Sequence, residues 1–504
     1  MGKLFGTFCN NVKRYPNKVA IYCEDKTMTY SELASFVDKL SALMVKYNVK
    51  YHDRIGVLLP NNINFIALIF AAAKMGVTIV PLSPTLPPIA IDKAFRYANV
   101  KHIIGTEYSL ENLNKKDMPY IDGLWLNTEG RLGSVINFED EQFEFFEQYL
   151  KDIAITGSEP LILTMTSGST GSPKPITLTQ NNKYDRAFAT KELYNVTEND
   201  VVLAATPLYH SLAQRLVILP LLLGATAVLL PRFTPMLWLN CIKNHSVTFT
   251  IAVSSQLNQL VDDSISPFLQ EIISLRCLVS SSALMEDHIK TALASKLNCE
   301  LCECYGTSEI AIATSINITE SKEKYKSVGR ATPNVDIKIL KSDGTFANAG
   351  EKGEIICKTP LLFAGYYNLP EVTQNAMKDE YFCTGDIGVM DEQSYLYFVD
   401  RKKDLIITGG INVYPNDIES AILQLPSVKE CIAFPYPDQR LGEIVAVAIV
   451  PKTVKINLRE VKIHCANVLG DFQQPMKYFI VEEIPKNDMG KMVKHELVKK
   501  LTII

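Results

Sequence analysis

Between Asp53 and Leu82 the chain reads as an apolar strand from Arg54 to Leu59 and a polar turn at Pro60-Asn61-Asn62. An almost wholly apolar helix follows from Phe65 to Met75 and, after Gly76, a second apolar strand from Val77 to Pro81. Strand, helix and strand joined by connections of a few residues make a βαβ unit, whose strands are parallel and covered on both faces. The pattern returns at Val201 to Ala205, Leu212 to Gly224 and Ala227 to Leu230. Two such units commit this part of the chain to parallel sheets layered with helices. With 504 residues, 47% of them hydrophobic, two or three folded units are expected.

From about Val328 the texture changes to short alternating strands, Val335 to Leu340, Glu354 to Lys358 and Tyr395 to Val399, separated by Gly and Asp turns. After Arg401-Lys402-Lys403-Asp404 come a strand at Leu405 to Thr408, a helix at Pro415 to Leu425, strands at Cys431 to Phe434 and Glu443 to Pro451, and a helix at Arg459 to Val468. The expected fold is α/β: a large multi-layer N-terminal domain with a β-rich subdomain over residues 1–402, and a small, mobile α+β domain over 403–504.

Charge and cysteine usage exclude several classes. The 51 basic and 55 acidic residues leave a net charge of -4, without the basic surplus that a phosphate backbone requires, so nucleic acid is not an expected partner. Eleven scattered cysteines and no signal peptide predict reduced thiols and a cytoplasmic location. Cys299, Cys302 and Cys304 lack a second pair at zinc spacing and read as strand thiols. The run Leu216 to Pro231 is short for a membrane span and carries Pro220 and Gly224, so helix, turn and strand are expected there. Gly6 stands where a myristoylation signal needs Ser or Thr, and no lipid anchor is expected. The seven histidines are dispersed and no Gly-x-Ser-x-Gly elbow occurs, which leaves metallohydrolase and serine-hydrolase chemistry without a motif.

The stretch Thr164-Met165-Thr166-Ser167-Gly168-Ser169-Thr170-Gly171-Ser172-Pro173-Lys174 directly follows the apolar Leu161-Ile162-Leu163. Glycines let a backbone approach a ligand and turn its N–H groups inward, hydroxyls add donors, and a lysine adds a point charge for phosphate oxygens. The spacing Gly168-x-x-Gly171-x-x-Lys174, followed by Pro175, is not that of the P-loop NTPases. A solvated surface loop has the same composition, so this stretch by itself leaves both readings open.

Four further motifs follow it in a fixed order: Tyr305-Gly306-Thr307-Ser308-Glu309, Thr384-Gly385-Asp386, Asp400-Arg401-Lys402-Lys403-Asp404 and Pro485-Lys486-Asn487-Asp488-Met489-Gly490-Lys491. In this order they resemble the adenylate-forming superfamily of acyl-CoA synthetases, coumarate-CoA ligases, luciferases and nonribosomal peptide adenylation domains. The likeness runs from Thr29-Tyr30-Ser31-Glu32-Leu33 to Lys491. It implies ATP, Mg²⁺ and CoA as cofactors, and a reaction in which a small-molecule carboxylic acid becomes an acyl-adenylate and then a thioester. A carboxylate is a poor electrophile at neutral pH, and AMP supplies the leaving group it lacks.

Residue by residue, the resemblance implies that Thr166, Ser167, Gly168, Ser169, Thr170, Gly171 and Lys174 hold the phosphates. Lys491 bridges the carboxylate and the α-phosphate, Glu309 binds Mg²⁺, and His210 borders the carboxylate. Tyr305 lies against the adenine, Gly306 beside it, and Ser308 near the α-phosphate. Asp386 accepts from the ribose hydroxyls, supported by Arg401. Lys403 is the hinge, and Gly410 lets a pantetheine arm pass the backbone. Ser282, in Ser281-Ser282-Ala283, borders the site, with Leu284 in place of the usual proline.

Pro175 replaces the glycine common after the loop lysine and removes one N–H. No acidic residue near Pro207-Leu208-Tyr209-His210-Ser211 could grip an α-amine, so an α-amino acid is not the expected substrate. Arg215, in an apolar helix, fits either a second substrate carboxylate or a helix cap reaching the surface. The phosphopantetheine of a free acyl carrier protein is the alternative acceptor; the absence of a fused carrier domain favours CoA. A light-emitting oxygenase would share the acyl-AMP intermediate. A non-catalytic acyl- or nucleotide-binding module is the alternative of another class, which Lys174, Glu309, Asp386, Arg401 and Lys491 together argue against.

Overall fold

The helix Ile63–Met75 shows how the layers form. Asn62 caps it, its side-chain oxygen accepting from the Phe65 N–H at 2.9 Å, and Gly76 ends it in the left-handed region at φ 64°. Every residue in between except Asn64 and Lys74 is buried, so the helix is covered on all sides. Phe70 meets Phe8 at a ring-centroid distance of 4.5 Å. Burying one such side chain stabilises by about 1.5–3 kcal/mol, which makes this helix a large share of the core.

The computed structural model describes residues 2–111, 113, 118–126, 154–165, 174–408, 411–452, 456–487 and 492–502. By contacts the chain divides into two compact units, Met1–Tyr325 with Thr359–Met377, and Lys326–Lys358 with Lys378–Ile504.

The first unit holds two sheets. One runs β14 (Thr314–Asn317), β13 (Glu300–Tyr305), β12 (Cys277–Ser281), β11 (Phe249–Val253), β9 (Val201–Ala204), β10 (Thr226–Leu229), β1 (Val19–Cys23) and β2 (Lys26–Thr29). Its inner strands are parallel and its two outermost pairings antiparallel. The other runs β6 (Gly123–Leu126), β5 (His102–Gly105), β3 (Arg54–Leu58), β4 (Thr78–Pro81), β7 (Pro160–Met165) and β8 (Pro175–Thr179). Both expected βαβ units are present: β3 pairs with β4 and β9 with β10, each parallel and each linked through its helix. One continuous core takes residues from both sheets and from the helices Lys3–Arg14, Tyr30–Lys46, Ile63–Met75 and Ser211–Leu223.

The helix, turn and strand expected here are present: the helix Ser211–Leu223 runs through Pro220, Gly224 at φ 77° provides the stop, and Thr226–Leu229 is the strand. The Pro220 carbonyl is used by the Ala225 N–H at 2.9 Å and the Tyr30 hydroxyl at 3.3 Å. No described helix is long and apolar enough to cross a membrane.

In the second unit, Asp336–Leu340, Gly353–Lys358, Tyr381–Met390 and Leu396–Arg401 form an antiparallel sheet. A further sheet joins Ile411–Val413, Ile406–Thr408, Gly442–Pro451, Val428–Asp438 and Lys477–Ile480. The helices Pro415–Leu423 and Leu458–Val468 bury Ile418, Ile422, Val461 and Cys465 in its core, giving the expected α+β piece.

Candidate active site

In a parallel sheet the carboxyl ends of the strands share one edge, and ligands are bound beyond that edge. β9, β12 and β13 lie in one sheet, and the loops leaving them carry His210, Ser282 and the Tyr305–Glu309 motif in turn. The topology thus gathers residues that the sequence holds about a hundred positions apart.

The turn after β13 is sterically fixed. A side chain at Gly306 would put its Cβ 1.7 Å from the Ala311 carbonyl oxygen, so the backbone folds back here because the residue is glycine. The Ala311 N–H reaches the Thr307 carbonyl at 2.9 Å and the Ala313 N–H the Tyr305 carbonyl at 2.8 Å. Arg186, buried on the helix Gln180–Tyr194, clamps the turn from below. It donates to the carbonyls of Ser308 at 2.8 Å, Glu309 at 2.7 Å and Leu361 at 2.7 Å. The Phe363 N–H adds a bond to Glu309 O at 2.8 Å.

Glu309 Oε1 accepts from the Tyr366 hydroxyl at 3.0 Å. Burial first, then the Glu309 carboxylate, holds the Tyr366 phenol well above its ordinary range, so it remains a donor at neutral pH. The Lys174 ammonium stands 5.8 Å from the centre of the same ring. Lys174 immediately precedes β8, and the chain at 364–367 runs beside that strand: Thr177 and Ala364 exchange bonds with their neighbours at 3.0 Å, and the Tyr367 N–H reaches Pro175 O at 2.8 Å. Pro175 opens the strand, a position at which the missing N–H breaks no ladder. One tyrosine therefore joins the end of the candidate phosphate loop to the candidate metal carboxylate.

Ser282 follows β12 in the left-handed region at φ 75°, a strained conformation for a residue with a side chain. Its loop is held on both sides. Ser254 Oγ donates to Ala283 O at 2.5 Å, and the Met285 N–H to Glu303 Oε1 at 2.9 Å. Glu303 pairs with Lys290 at 2.6 Å, both side chains 1% exposed. Burial pushes the Glu303 carboxyl up, and Lys290 opposes that.

His210 precedes the helix Ser211–Leu223, its ring 4.7 Å from that of Tyr209. Asn61 organises the loop before it, donating to Thr206 O at 2.9 Å and Leu230 O at 3.0 Å and accepting from the Leu208 N–H at 2.7 Å. Gln214 donates to Leu208 O at 2.9 Å and accepts from Lys183 at 2.5 Å.

In the second unit Asp386 is buried on the strand Tyr381–Met390, in register with Arg401, whose Nε lies 3.6 Å from its carboxylate. Gly385, at φ 72°, donates its N–H to Glu354 at 3.1 Å, and Lys402 pairs with Glu354 at 2.7 Å. Lys403 is exposed in a single 3-10 turn, Lys402–Asp404. Asp400 accepts from the Asn416 N–H at 2.8 Å.

Of the residues expected from sequence, Lys174, Tyr305, Gly306, Ser308 and Glu309 are brought together, with Ser282 and His210 on the same sheet edge. Asp386, Arg401 and Lys403 are neighbours in the second unit. Thr166, Ser167, Gly168, Ser169, Thr170, Gly171, Gly410 and Lys491 lie outside the described residues. Sequence reading missed Arg186, Lys183, Gln214, Asn61, Glu303 and Tyr366, single polar residues in unremarkable contexts. It also missed that Cys302 gathers with Cys277 and Glu300, their ligand atoms within 4.8 Å of one another.

Residues 8–367 match the AMP-binding enzyme family and residues 417–491 the AMP-binding enzyme C-terminal domain. A long-chain-fatty-acid–CoA ligase of Mycobacterium tuberculosis is 28% identical over 477 residues, covering 93% of this chain and 92% of its own. A 2-succinylbenzoate–CoA ligase of Bacillus velezensis is 28% identical, covering 96% and 95%. Among solved structures, ATP-bound MatB from Rhodopseudomonas palustris superposes with a TM-score of 0.86 at 24% identity over 99% of both chains. The o-succinylbenzoate CoA synthetase of Bacillus subtilis with its acyl-adenylate gives 0.84 at 24% over 97% of both. With its motifs in order, its two-sheet core and its α+β end piece, the chain belongs to the AMP-binding enzyme family, as an acid–thiol ligase of the acyl-CoA synthetase type.

Proposed function

We propose that this protein joins a carboxylic acid to AMP at the expense of ATP and then transfers the acyl group to the thiol of CoA. A carboxylate oxygen attacks the α-phosphorus, the bond to the bridging oxygen of the β-phosphate breaks, and pyrophosphate leaves. The thiol sulfur then attacks the acyl carbon and AMP departs. Two anions meet in the first step, so cations and oriented donors are needed where charge gathers. Lys174 and the loop before it serve the phosphates, and Lys491 the carboxylate and α-phosphate. Glu309, a hard oxygen donor held by Tyr366, is the Mg²⁺ ligand; the ion, when bound, draws charge from the phosphate oxygens.

Tyr305 and Gly306 face the adenine, Ser308 the α-phosphate, Asp386 and Arg401 the ribose, and His210 and Ser282 the acyl end. In this reading residues 1–402 carry adenylation, while 403–504 turn about Lys403 so that Gly410 admits the pantetheine arm. The eleven free thiols suit a reducing, cytoplasmic setting. The observation that most supports the assignment is the shared contact of Lys174 and Glu309 with Tyr366, which links two motifs more than a hundred residues apart.

The test is pyrophosphate release from ATP and Mg²⁺ over a panel of carboxylic acids, with and without CoA. Acid-dependent release accelerated by CoA, with thioester formed, is expected. Release without a CoA thioester would transfer the acceptor role to a free acyl carrier protein, and silence across the panel would leave a binding module.

A further inference from the structure

Arg215 stands in the second turn of the helix Ser211–Leu223, and the residues after it, Leu216 to Leu222, are all buried. Among the described residues it makes no hydrogen bond and no ion pair. Burial is the largest influence on its guanidinium, drawing its pKa down, yet part of the side chain is uncovered. A guanidinium set among apolar neighbours and only partly reached by solvent gives up much of its hydration.

The groups that favour its charge are the Cys304 thiol and the Tyr194 phenol, both of which burial keeps protonated. Lys183 and Arg186 share the region; burial first, and the neighbouring cations including Arg215 after it, depress both. Each of those two has acceptors of its own: Lys183 uses Gln214 at 2.5 Å and Ser211 at 3.3 Å, and Arg186 uses two carbonyls of the motif turn and that of Leu361. Arg215 alone of the three has none. A guanidinium offers five N–H donors and cannot shed its charge, so a desolvated one calls for an anion.

The position of the guanidinium is informative. Cys304 immediately precedes Tyr305, and its thiol hydrogen-bonds Ser281, the residue before Ser282. Arg215 follows His210 by five residues, a rise of about 7.5 Å along a helix. The guanidinium therefore lies close to the strand end that carries Tyr305 and, through Ser281, to the loop of Ser282. A purely hydrocarbon tail laid against it would remove its remaining water and leave it without a partner.

We infer that the acid activated by this enzyme carries a second carboxylate, a few carbons from the one that is adenylated, and that Arg215 binds it. The inference rests on the proposed ligase activity. Arg215 acts here as a specificity residue: its fork accepts two carboxylate oxygens side by side, which a lysine cannot match.

The experiment compares straight-chain dicarboxylic acids of increasing length with the monocarboxylic acids of equal length, by pyrophosphate release, in the wild type, Arg215→Met and Arg215→Lys. The wild type is expected to favour one short diacid by at least about a hundredfold in kcat/KM, since a site built around a polar group rejects analogues that lack it. Arg215→Met should lose that preference mainly through KM while keeping or gaining activity on the monoacid, and Arg215→Lys should recover part of it. Wild-type turnover confined to monoacids overturns the inference and leaves the ligase standing. A uniform loss on both acid classes in Arg215→Met, which a merely structural arginine would give, overturns it as well. If no acid releases pyrophosphate, the ligase reading fails, and thermal shift decides the subsite: diacid-dependent stabilisation of the wild type but not of Arg215→Met retains it, and none discards it.

Discussion

The turn Tyr305–Glu309 and the stretch from Asp386 to Lys403 are both assigned to one nucleotide, yet they are held in opposite ways. The turn is locked by a glycine that tolerates no side chain and by a buried arginine on three carbonyls. Around Asp386 the cationic partners reach in from solvent. Arg401 approaches at 3.6 Å with its side chain 39% exposed, Lys402 pairs with Glu354 from a side chain 62% exposed, and Lys403 is exposed. Groups that must meet phosphate charge in one geometry gain from buried, redundant anchoring, because misplacement is penalised steeply. A segment expected to turn during the cycle is better served by pairs in which one partner is solvent-exposed and easily released.

The contrast can be broken at its rigid end first. Gly306→Ala drives a methyl group into the Ala311 carbonyl, and the turn must move; a loss of about 3 kcal/mol in stability and of about 100-fold in adenylation is expected, measured by denaturant melts and pyrophosphate exchange. Lys491→Ala should cut adenylation by at least about 100-fold with stability unchanged, while thiol transfer from supplied acyl-AMP is largely spared; equal loss of both half-reactions would refute that division of labour. Arg186→Met takes a charged donor from three carbonyls, of which Glu309 O keeps the Phe363 N–H, and should cost about 3 kcal/mol, with adenylation falling about tenfold. Lys402→Ala should cost about 1 kcal/mol, since the lysine side chain is 62% exposed and Glu354 keeps the Gly385 N–H. If Lys402→Ala destabilised as much as Arg186→Met, the distinction between a locked and a loosely held half would fall.

What the sequence made legible follows from what periodicity and motif spacing report. Apolar runs announced that Arg54–Leu58, Ile63–Met75 and Thr78–Pro81 are covered on both faces, and the βαβ pairing followed. The order of five motifs identified the family. A pattern states that a residue is buried or polar, however, and never names its partner. Nothing in the context of Arg186 tells that it reaches a turn more than a hundred residues later, nor in that of Tyr366 that its hydroxyl faces Glu309. Asn61 illustrates the same limit: it reads as a turn residue, and it serves as the peg on which the loop before His210 hangs.

The pairing of β1 with β10 carries a consequence for how the molecule is made. Ile21 lies beside Ala227, its neighbour in the finished sheet, about two hundred residues further along the chain. At a synthesis rate of about 5–20 residues per second, the first hairpin leaves the ribosome roughly 10–40 s before the strand that will cover its open side. Throughout that interval the edge of β1, with Ala20 and Ile21 that end up fully buried, is available to any other extended chain. The sheet is thus closed around a hairpin made long before its partner strand, and a chaperone that shields Val19–Thr29 during translation should raise the yield of native protein more than one acting on the finished chain.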